Sequence, residues 1–220
     1  MENEEKFWNN ARTIKWFDEQ PVPDYWVTFF GNKRKRMKKI LDLGCGAGRN
    51  TQFLLELGYD VYACDLCNWM VEATRKRLRK IGLNKALGKK RVIKASMLNL
   101  PYKNSFFDAV LSNGVFHNVA SLKEIELAIE ETARVLKKDG CLCFNLFSSQ
   151  YIDPSLKRIS DRVYLTKERL SMVLISRAEF ICLCEKRGLV SKGEIIEYER
   201  EVSTGKRSIM RGILRKIVNK

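Results

Sequence analysis

The sequence has no long hydrophobic stretch and only four prolines in 220 residues. No apolar run approaches the roughly 18 residues that a membrane-spanning helix requires, so we expect no membrane association. The N-terminal stretch MENEEK is acidic and polar, unlike the basic and apolar start of a secretory signal peptide. We therefore expect a protein of the cytoplasm.

The seven cysteines do not follow the pattern of a disulfide framework or a zinc site. Their number is odd, and Cys64 and Cys67 form a lone C-x-x-C whose first residue lies in a predicted strand. A structural zinc site usually needs two close cysteine pairs on turn-like loops. We predict small, buried side chains in a reducing compartment, and no metal.

The sequence is strongly basic, with 41 Lys and Arg against 26 Asp and Glu and a net charge of +15. Basic clusters occupy residues 33–39, 75–80 and 89–91. Such a charge attracts RNA, an acidic peptide or an anionic small molecule. A solvated basic surface with no partner gives the same composition. The charge alone therefore leaves the partner open.

Apolar strands alternate with amphipathic helices through the middle of the chain. This alternation predicts a parallel sheet with helices on both faces, in a single α/β domain. We predict strands at residues 40–44, 60–64, 91–95, 107–111 and 141–147, and helices at 4–19, 50–57, 69–80, 122–137 and 176–186. Residues 195–202 and 208–217 are predicted to form a terminal antiparallel pair. Residues 150–175 are polar and irregular, with short strand-like stretches.

The most informative stretch is a glycine-rich turn between the first strand and the next helix. It contains Gly44, Gly46 and Gly48 in the spacing G-x-G-x-G. Such a turn brings backbone N–H groups and a helix N-terminus beside a bound cofactor. The spacing differs from the G-x-G-x-x-G of dinucleotide sites, and the Gly-Lys-Ser/Thr of a phosphate loop is missing. The turn therefore favours a cofactor without phosphate.

Asp65 ends the second predicted strand, 19 residues after Gly46. An acidic residue at about this distance accepts hydrogen bonds from the two ribose hydroxyls of a nucleotide-like cofactor. A cofactor with a 2′-phosphate would favour arginine there. The glycine turn and Asp65 together predict a nucleotide-like cofactor with a free ribose.

These residues resemble the class I S-adenosylmethionine-dependent methyltransferases. Residues 41–48 are similar to motif I of that family, and Asp65 matches its ribose-binding acid. Residues 100–110, 113–117 and 134–140 resemble the family's stretches around its fourth and fifth strands. The resemblance implies a single-domain Rossmann-like fold with a seven-stranded, mostly parallel sheet and an antiparallel terminal strand.

The resemblance also implies a division of the chain. Residues 1–37, which are rich in aromatic side chains, would form an N-terminal helical cap over the active site. Residues 38–220 would form the S-adenosylmethionine-binding domain. Within that domain, residues 150–175 would form one wall of the substrate pocket.

The cofactor implied by the resemblance is S-adenosylmethionine, with Asp42 near the methionine ammonium and Asn50 or Arg49 near its carboxylate. Leu66 would pack on the adenine face, and the backbone at Met97 would meet the adenine edge. The implied cofactor-binding residues are Asp42, Gly44, Cys45, Gly46, Gly48, Asn50, Asp65, Leu66, Ser96, Met97, Asn113 and Gly114.

Two implied positions carry further information about the site. Asn113 and Gly114 would line the floor below the sulfonium. Ser96 stands where many relatives have an aspartate that accepts from the adenine amino group. A neutral hydroxyl is a weaker acceptor than a carboxylate, so adenine recognition differs from the family's usual pattern.

His117 is the only histidine in the sequence and follows Phe116 in the loop after the fourth strand. In relatives this loop opens near the methyl group, and a histidine pKa suits a general base near neutral pH. We therefore take His117 as a candidate catalytic base, with packing as its alternative role.

The acceptor is not specified by these residues. We favour transfer to an oxygen or nitrogen of a small molecule or peptide, an anionic one being consistent with the charge. RNA is the alternative, although residues 112–116 lack the Asn/Asp-Pro-Pro-Tyr/Phe of base-amine enzymes and no Pro-Cys nucleophile is present. A second alternative is a non-catalytic, cofactor-binding regulatory protein.

Overall fold

The computed structural model describes residues 7–32 and 37–217. The beginning of the predicted N-terminal helix and most of the first basic cluster lie outside these ranges. The helices are α1 (Ala11–Glu19), α2 (Asp24–Gly31), α3 (Arg49–Glu56), α4 (Asn68–Lys80), α5 (Lys85–Arg91), α6 (Leu122–Val135) and α7 (Arg177–Glu185).

The strands form one large mixed sheet and one small antiparallel sheet. They are β1 (Lys39–Leu43), β2 (Asp60–Asp65), β3 (Val92–Lys94), β4 (Phe107–Asn113), β5 (Leu136–Ser148), β6 (Lys157–Ser160), β7 (Val163–Leu165), β8 (Ser171–Val173), β9 (Leu189–Ser191), β10 (Ile196–Val202) and β11 (Gly205–Lys216). The large sheet has the order β10-β11-β5-β4-β1-β2-β3, and β9 pairs with the end of β11.

This topology confirms the predicted fold. The five strands from β3 to β5 are parallel neighbours, and β11 runs antiparallel between β5 and β10. The prediction differed in detail at several places. Helix α5 and strand β9 occupy residues that were left without a predicted element, and the irregular segment after β5 folds into the small sheet β6-β7-β8. Strand β5 begins at Leu136, so it includes the end of the predicted helix 122–137.

Helices pack on both faces of the sheet. On one face, α6 and α7 bury Ile129 and Phe180 against β4 and β5 residues such as Phe144. On the other, α2 and α3 bury Trp26 and Leu54 against a core that includes Ile40. Each fully buried side chain of this size contributes about 1.5–3 kcal/mol of hydrophobic stabilisation. Helix α2 is therefore part of the core and has a fixed position above the sheet.

The parallel strands define the two edges of the sheet that matter for function. Gly44, Asp65 and Asn113 all lie at the carboxyl ends of their strands, on one edge. Lys38 and Lys39 lie at the start of β1, residues 89–91 directly precede β3, and residues 75–80 end a helix that runs back from that edge. The described residues of the basic clusters therefore lie toward the opposite edge of the sheet.

Five of the cysteines, Cys45, Cys64, Cys141, Cys143 and Cys184, are buried, whereas Cys67 is half-buried and Cys182 is exposed. The prediction of buried side chains therefore fails for the last two. In the described ranges, no group of His, Cys, Asp and Glu has an arrangement that could hold a metal ion. None of the helices there has the length and apolar character needed to cross a membrane.

Candidate active site

The three glycines of the turn between β1 and α3 all have positive φ angles: +67° at Gly44, +54° at Gly46 and +86° at Gly48. A Cβ at Gly44 would lie 2.4 Å from Val115 Cγ2, and one at Gly48 would lie 2.8 Å from Thr74 Oγ1. A Cβ at Gly46 would have no neighbour within 4 Å. Two glycines therefore allow close packing, and the third borders open space that a ligand can fill.

Asp65 connects this turn to the one after β2. Its Oδ2 accepts from the backbone N–H of Gly46 at 2.9 Å, and its Oδ1 accepts from the N–H of Cys67 at 2.9 Å. Burial raises the pKa of Asp65, and hydrogen bonds from the backbone N–H groups of Cys67, Gly46 and Leu66 oppose this shift. A carboxylate has about four acceptor positions, so it can accept further hydrogen bonds. The role of Asp65 toward the ribose hydroxyls stays a prediction.

Asp42 is a buried acid beside the glycine turn, with only 1% of its surface exposed. Thr51 in the first turn of α3 donates its hydroxyl to Asp42 Oδ2 at 2.5 Å. Oδ1 is buried and has no hydrogen-bond partner among the described residues, and the same holds for Oδ1 of Asn50. Burial raises the pKa of Asp42 to about 6. An unsatisfied acceptor of this kind suits a cationic group such as an ammonium.

Asn113 and Gly114 lie at the end of β4, where helix α2 approaches the sheet. The indole of Trp26 donates to Asn113 Oδ1 at 2.8 Å. Gly114 donates its backbone N–H to the Asn145 carbonyl at 2.8 Å, and a Cβ on Gly114 would meet nothing within 4 Å. The amide of Asn113 is thus held in place, while Gly114 borders open space.

His117 lies close to these residues but is buried, with 3% of its surface exposed. Its Nδ1 accepts from the backbone N–H of Phe147 at 3.1 Å, and its ring stacks on the Phe147 ring at 4.0 Å. Burial, together with the charge of Arg207, lowers the pKa of His117 to about 3. Because Nδ1 is an acceptor, the neutral ring carries its proton on Nε2. The base role stays a prediction, and this geometry favours a positioning role.

The residues assigned to the adenine end are arranged more loosely. Leu66 follows Asp65 directly and is 67% exposed, so its apolar surface is open to a flat ring. Ser96 uses its hydroxyl to accept from the backbone N–H of Leu98 at 3.1 Å. Arg49 donates to the Pro21 carbonyl at 2.9 Å, which leaves Asn50 as the better candidate for the methionine carboxylate.

The residues present fit S-adenosylmethionine. Open space borders Gly46 and Gly114, and buried acceptors without partners lie at Asp42 and Asn50. S-Adenosylmethionine carries no phosphate, so its site needs no phosphate-binding lysine. Two cavities lie away from this turn: one of about 430 Å³ between α1 and α4, and one of about 90 Å³ beneath α5. The roles of individual residues toward the cofactor stay predictions.

The hydrogen-bond partners of the predicted site residues could not be predicted from the sequence. Thr51 fixes Asp42, Trp26 fixes Asn113, and Thr74 donates to the Gly46 carbonyl at 2.7 Å. Trp26 belongs to the aromatic N-terminal segment that was expected to cover the site, but nothing local indicated Asn113 as its partner.

The fold and the glycine turn define a Rossmann-like methyltransferase domain, and comparisons with known proteins agree. Residues 41–144 match the family model described as a methyltransferase domain. A SAM-dependent methyltransferase of Methanosarcina mazei superposes with a TM-score of 0.74 at 20% identity, over 91% of this chain and 100% of that one. The Burkholderia thailandensis 1,6-didemethyltoxoflavin-N1-methyltransferase, with bound S-adenosylhomocysteine, has a TM-score of 0.60 at 18% identity, over 89% and 82%. Residues 41–144 are therefore similar to a methyltransferase domain, and the solved structures share the fold of the chain, so the resemblance is confirmed over this part of the sequence.

Two named relatives are similar to this chain over part of their own length. The probable tRNA methyltransferase 9B of Mus musculus is 31% identical over 126 residues, which are 56% of this chain and 25% of that protein. The tRNA (carboxymethyluridine(34)-5-O)-methyltransferase of Arabidopsis thaliana is 31% identical over 119 residues, 53% of this chain and 26% of that protein. The matches therefore span about a quarter of these relatives.

The open space at Gly46 leads to a first prediction. Gly46→Ala places a methyl group where the cofactor is expected, so the dissociation constant for S-adenosylhomocysteine should rise about tenfold or more. Gly82→Ala is the matched control, since Gly82 also has a positive φ (+87°) and no neighbour within 4 Å but lies after α4. Titration calorimetry checks both variants, and equal affinities would contradict the assignment of this space to the cofactor.

The raised pKa of Asp42 leads to a second prediction. Since the folded protein binds this proton more tightly than the unfolded chain, stability falls as the pH rises from about 4 to 6, and the cost is complete above that window. Asp42→Asn should stabilise the ligand-free protein at neutral pH by about 1–3 kcal/mol, with no gain near pH 4.

The same variant should bind S-adenosylhomocysteine more weakly, because the ammonium loses its carboxylate. Thermal unfolding at the two pH values and calorimetry measure these effects, with Asp139→Asn as an exposed control. A destabilised variant with unchanged cofactor affinity would refute the role given to Asp42.

Proposed function

We propose that this protein transfers a methyl group from S-adenosylmethionine to a carboxylate oxygen carried on an RNA. The proposal of an anionic acceptor rests on the low pKa and the hydrogen bonding of His117. Its pKa is lowered to about 3 and its Nδ1 already accepts a backbone hydrogen bond, so it is poorly suited to remove a proton from an acceptor. An acceptor that is already ionised needs no base.

The proposed chemistry uses this chain's residues to position the two reactants. S-Adenosylmethionine, when bound, supplies a methyl group activated by the sulfonium. Asp65 would hold the ribose and Asp42 the ammonium, while Asn113, fixed by Trp26, would shape the floor beneath the transferred methyl group. The enzyme would act chiefly by aligning the carboxylate oxygen with that methyl group.

RNA is proposed as the carrier because of the named relatives. Two of them are named as tRNA methyltransferases, and the name of the Arabidopsis protein specifies a carboxymethyluridine. The basic residues 75–80 and 89–91 do not add to this argument, since they lie toward the edge of the sheet opposite the glycine turn. Arg49 at the start of α3 and Arg200 near the end of β10 lie close enough to affect each other's charge, and they support an anionic acceptor more directly.

A small molecule or peptide is the second candidate, and the position of α2 favours it. Trp26 is fully buried and holds Asn113, so this helix lies close to the floor of the site and limits the space for a large acceptor. The sequence analysis favoured this candidate. It shares the anionic acceptor with the first proposal and differs in the carrier.

The test is a methylation assay with radiolabelled S-adenosylmethionine. The acceptors are an RNA stem-loop carrying 5-carboxymethyluridine, the same RNA with the amide in place of the carboxylate, and pools of carboxylate small molecules and peptides. We expect label in the carboxylate RNA as a base-labile ester, at a rate that is flat between about pH 7 and 9, because no group on the acceptor titrates there.

Other outcomes separate the alternatives. If the label is confined to the small-molecule or peptide pool, the acceptor is a small molecule or peptide and not an RNA. Base-stable label, or a rate that rises through about pH 7, would overturn the carboxylate acceptor. Binding of S-adenosylhomocysteine with no label in any acceptor would support the non-catalytic alternative.

A further inference from the structure

Arg211 on β11 lies in a cage of three aromatic rings. Its guanidinium carbon lies 5.1 Å from the centre of the Tyr198 ring, 5.4 Å from that of Tyr25 and 5.8 Å from that of Trp26. Its Nη2 also donates a hydrogen bond to the Tyr198 hydroxyl. Aromatic faces attract a cation and hold the plane of a guanidinium in a fixed orientation. The cage therefore presents Arg211 as a rigid, oriented positive charge.

The guanidinium of Arg211 has no acidic partner within the described ranges. Two other arginines of the same strand do have one: Arg207 lies 3.6 Å from Asp153, and Arg215 lies 2.6 Å from Asp139. Arg211 Nε is buried and makes no hydrogen bond to any described residue. A partly buried cation without a counter-charge is costly, and a site that keeps one is suited to an anionic ligand.

The cage adjoins the floor on which methyl transfer is expected. Arg211 pairs with Asn145 across β11 and β5, and Asn145 pairs with Asn113 across β5 and β4. Trp26 connects the two places directly, since its indole donates to Asn113 at 2.8 Å and its ring faces Arg211. The unpaired guanidinium is thus a neighbour of the proposed acceptor position.

We propose that Arg211 binds the anionic group of the acceptor and thereby selects acceptors with a carboxylate. This inference rests on the proposed function, for which it names the residue that recognises the acceptor. The guanidinium fork matches a carboxylate in charge and in geometry. A neutral acceptor of the same shape would leave the partly buried cation without a counter-charge and would bind more weakly.

The chemistry of the transfer is consistent with this role. One carboxylate oxygen forms a bond to the methyl carbon as the bond from that carbon to sulfur breaks, and no proton moves. The sulfonium becomes a neutral thioether and the carboxylate becomes a neutral ester. The product therefore loses the charge that Arg211 binds, which favours its release after transfer.

The test compares binding of two RNA stem-loops to protein saturated with S-adenosylhomocysteine, so that no turnover is required. One RNA carries 5-carboxymethyluridine, and the other carries the corresponding amide. We expect the unaltered protein to prefer the carboxylate RNA about tenfold or more, and Arg211→Gln to remove this preference by weakening carboxylate binding alone. Arg211→Lys should retain part of it, since the charge stays and the fork is lost.

The controls separate recognition from a general loss of structure. Arg215→Gln removes an arginine from the same strand but away from the cage, and should keep the full preference. All variants should bind S-adenosylhomocysteine with unchanged affinity. If the unaltered protein does not distinguish the two RNAs, or if Arg211→Gln weakens both equally, Arg211 is not the acceptor-binding residue.

The two proposals fail in distinguishable ways. A preference for the carboxylate that depends on Arg211, without methyl transfer to that RNA, would support the inference and overturn the proposed function. Methyl transfer to the carboxylate RNA that does not depend on Arg211 would support the proposed function and overturn the inference about Arg211. If Arg211→Gln does not fold, the binding of the two RNAs is compared in Arg211→Lys. An undiminished preference for the carboxylate RNA in that variant would show that the guanidinium fork is not required.

Discussion

The carboxylate of Asp65 accepts one hydrogen bond from the turn after β1 and one from the turn after β2. The first donor is Gly46, whose open side borders the space that fits the cofactor. One side chain thus fixes the relative positions of the two loops that form the cofactor end of the site. The two bonds join the glycine turn to Cys67, the residue before α4.

In the site that we propose, helix α2 organises the acceptor end. Trp26 is fully buried, holds the amide of Asn113 and forms one face of the cage around Arg211. His117, the residue expected to carry proton chemistry, is instead stacked on Phe147 and bonded through Nδ1 to that residue's backbone. These two features together favour an acceptor that arrives already charged.

The sequence predicts well those features that are formed by residues close together in the chain. The glycine turn, Asp65 at the end of β2 and the order of parallel strands follow from local periodicity and spacing. The contacts that complete the site join distant segments: Trp26 and Asn113 are 87 residues apart, and Thr74 and Gly46 are 28 apart. The burial that lowers the pKa of His117 and the aromatic cage around Arg211 arise only when β5, β11 and α2 pack together, so no local pattern indicates them.

The central claim is that the turn joined by Asp65 is the site of an adenosine-containing methyl donor. Titration calorimetry with S-adenosylhomocysteine tests it most directly, on the unaltered protein and on Asp65→Ala. The account predicts one bound molecule per chain for the unaltered protein and a loss of affinity of about tenfold or more in the folded variant. No binding to the unaltered protein, or equal affinities for the two proteins, would contradict it.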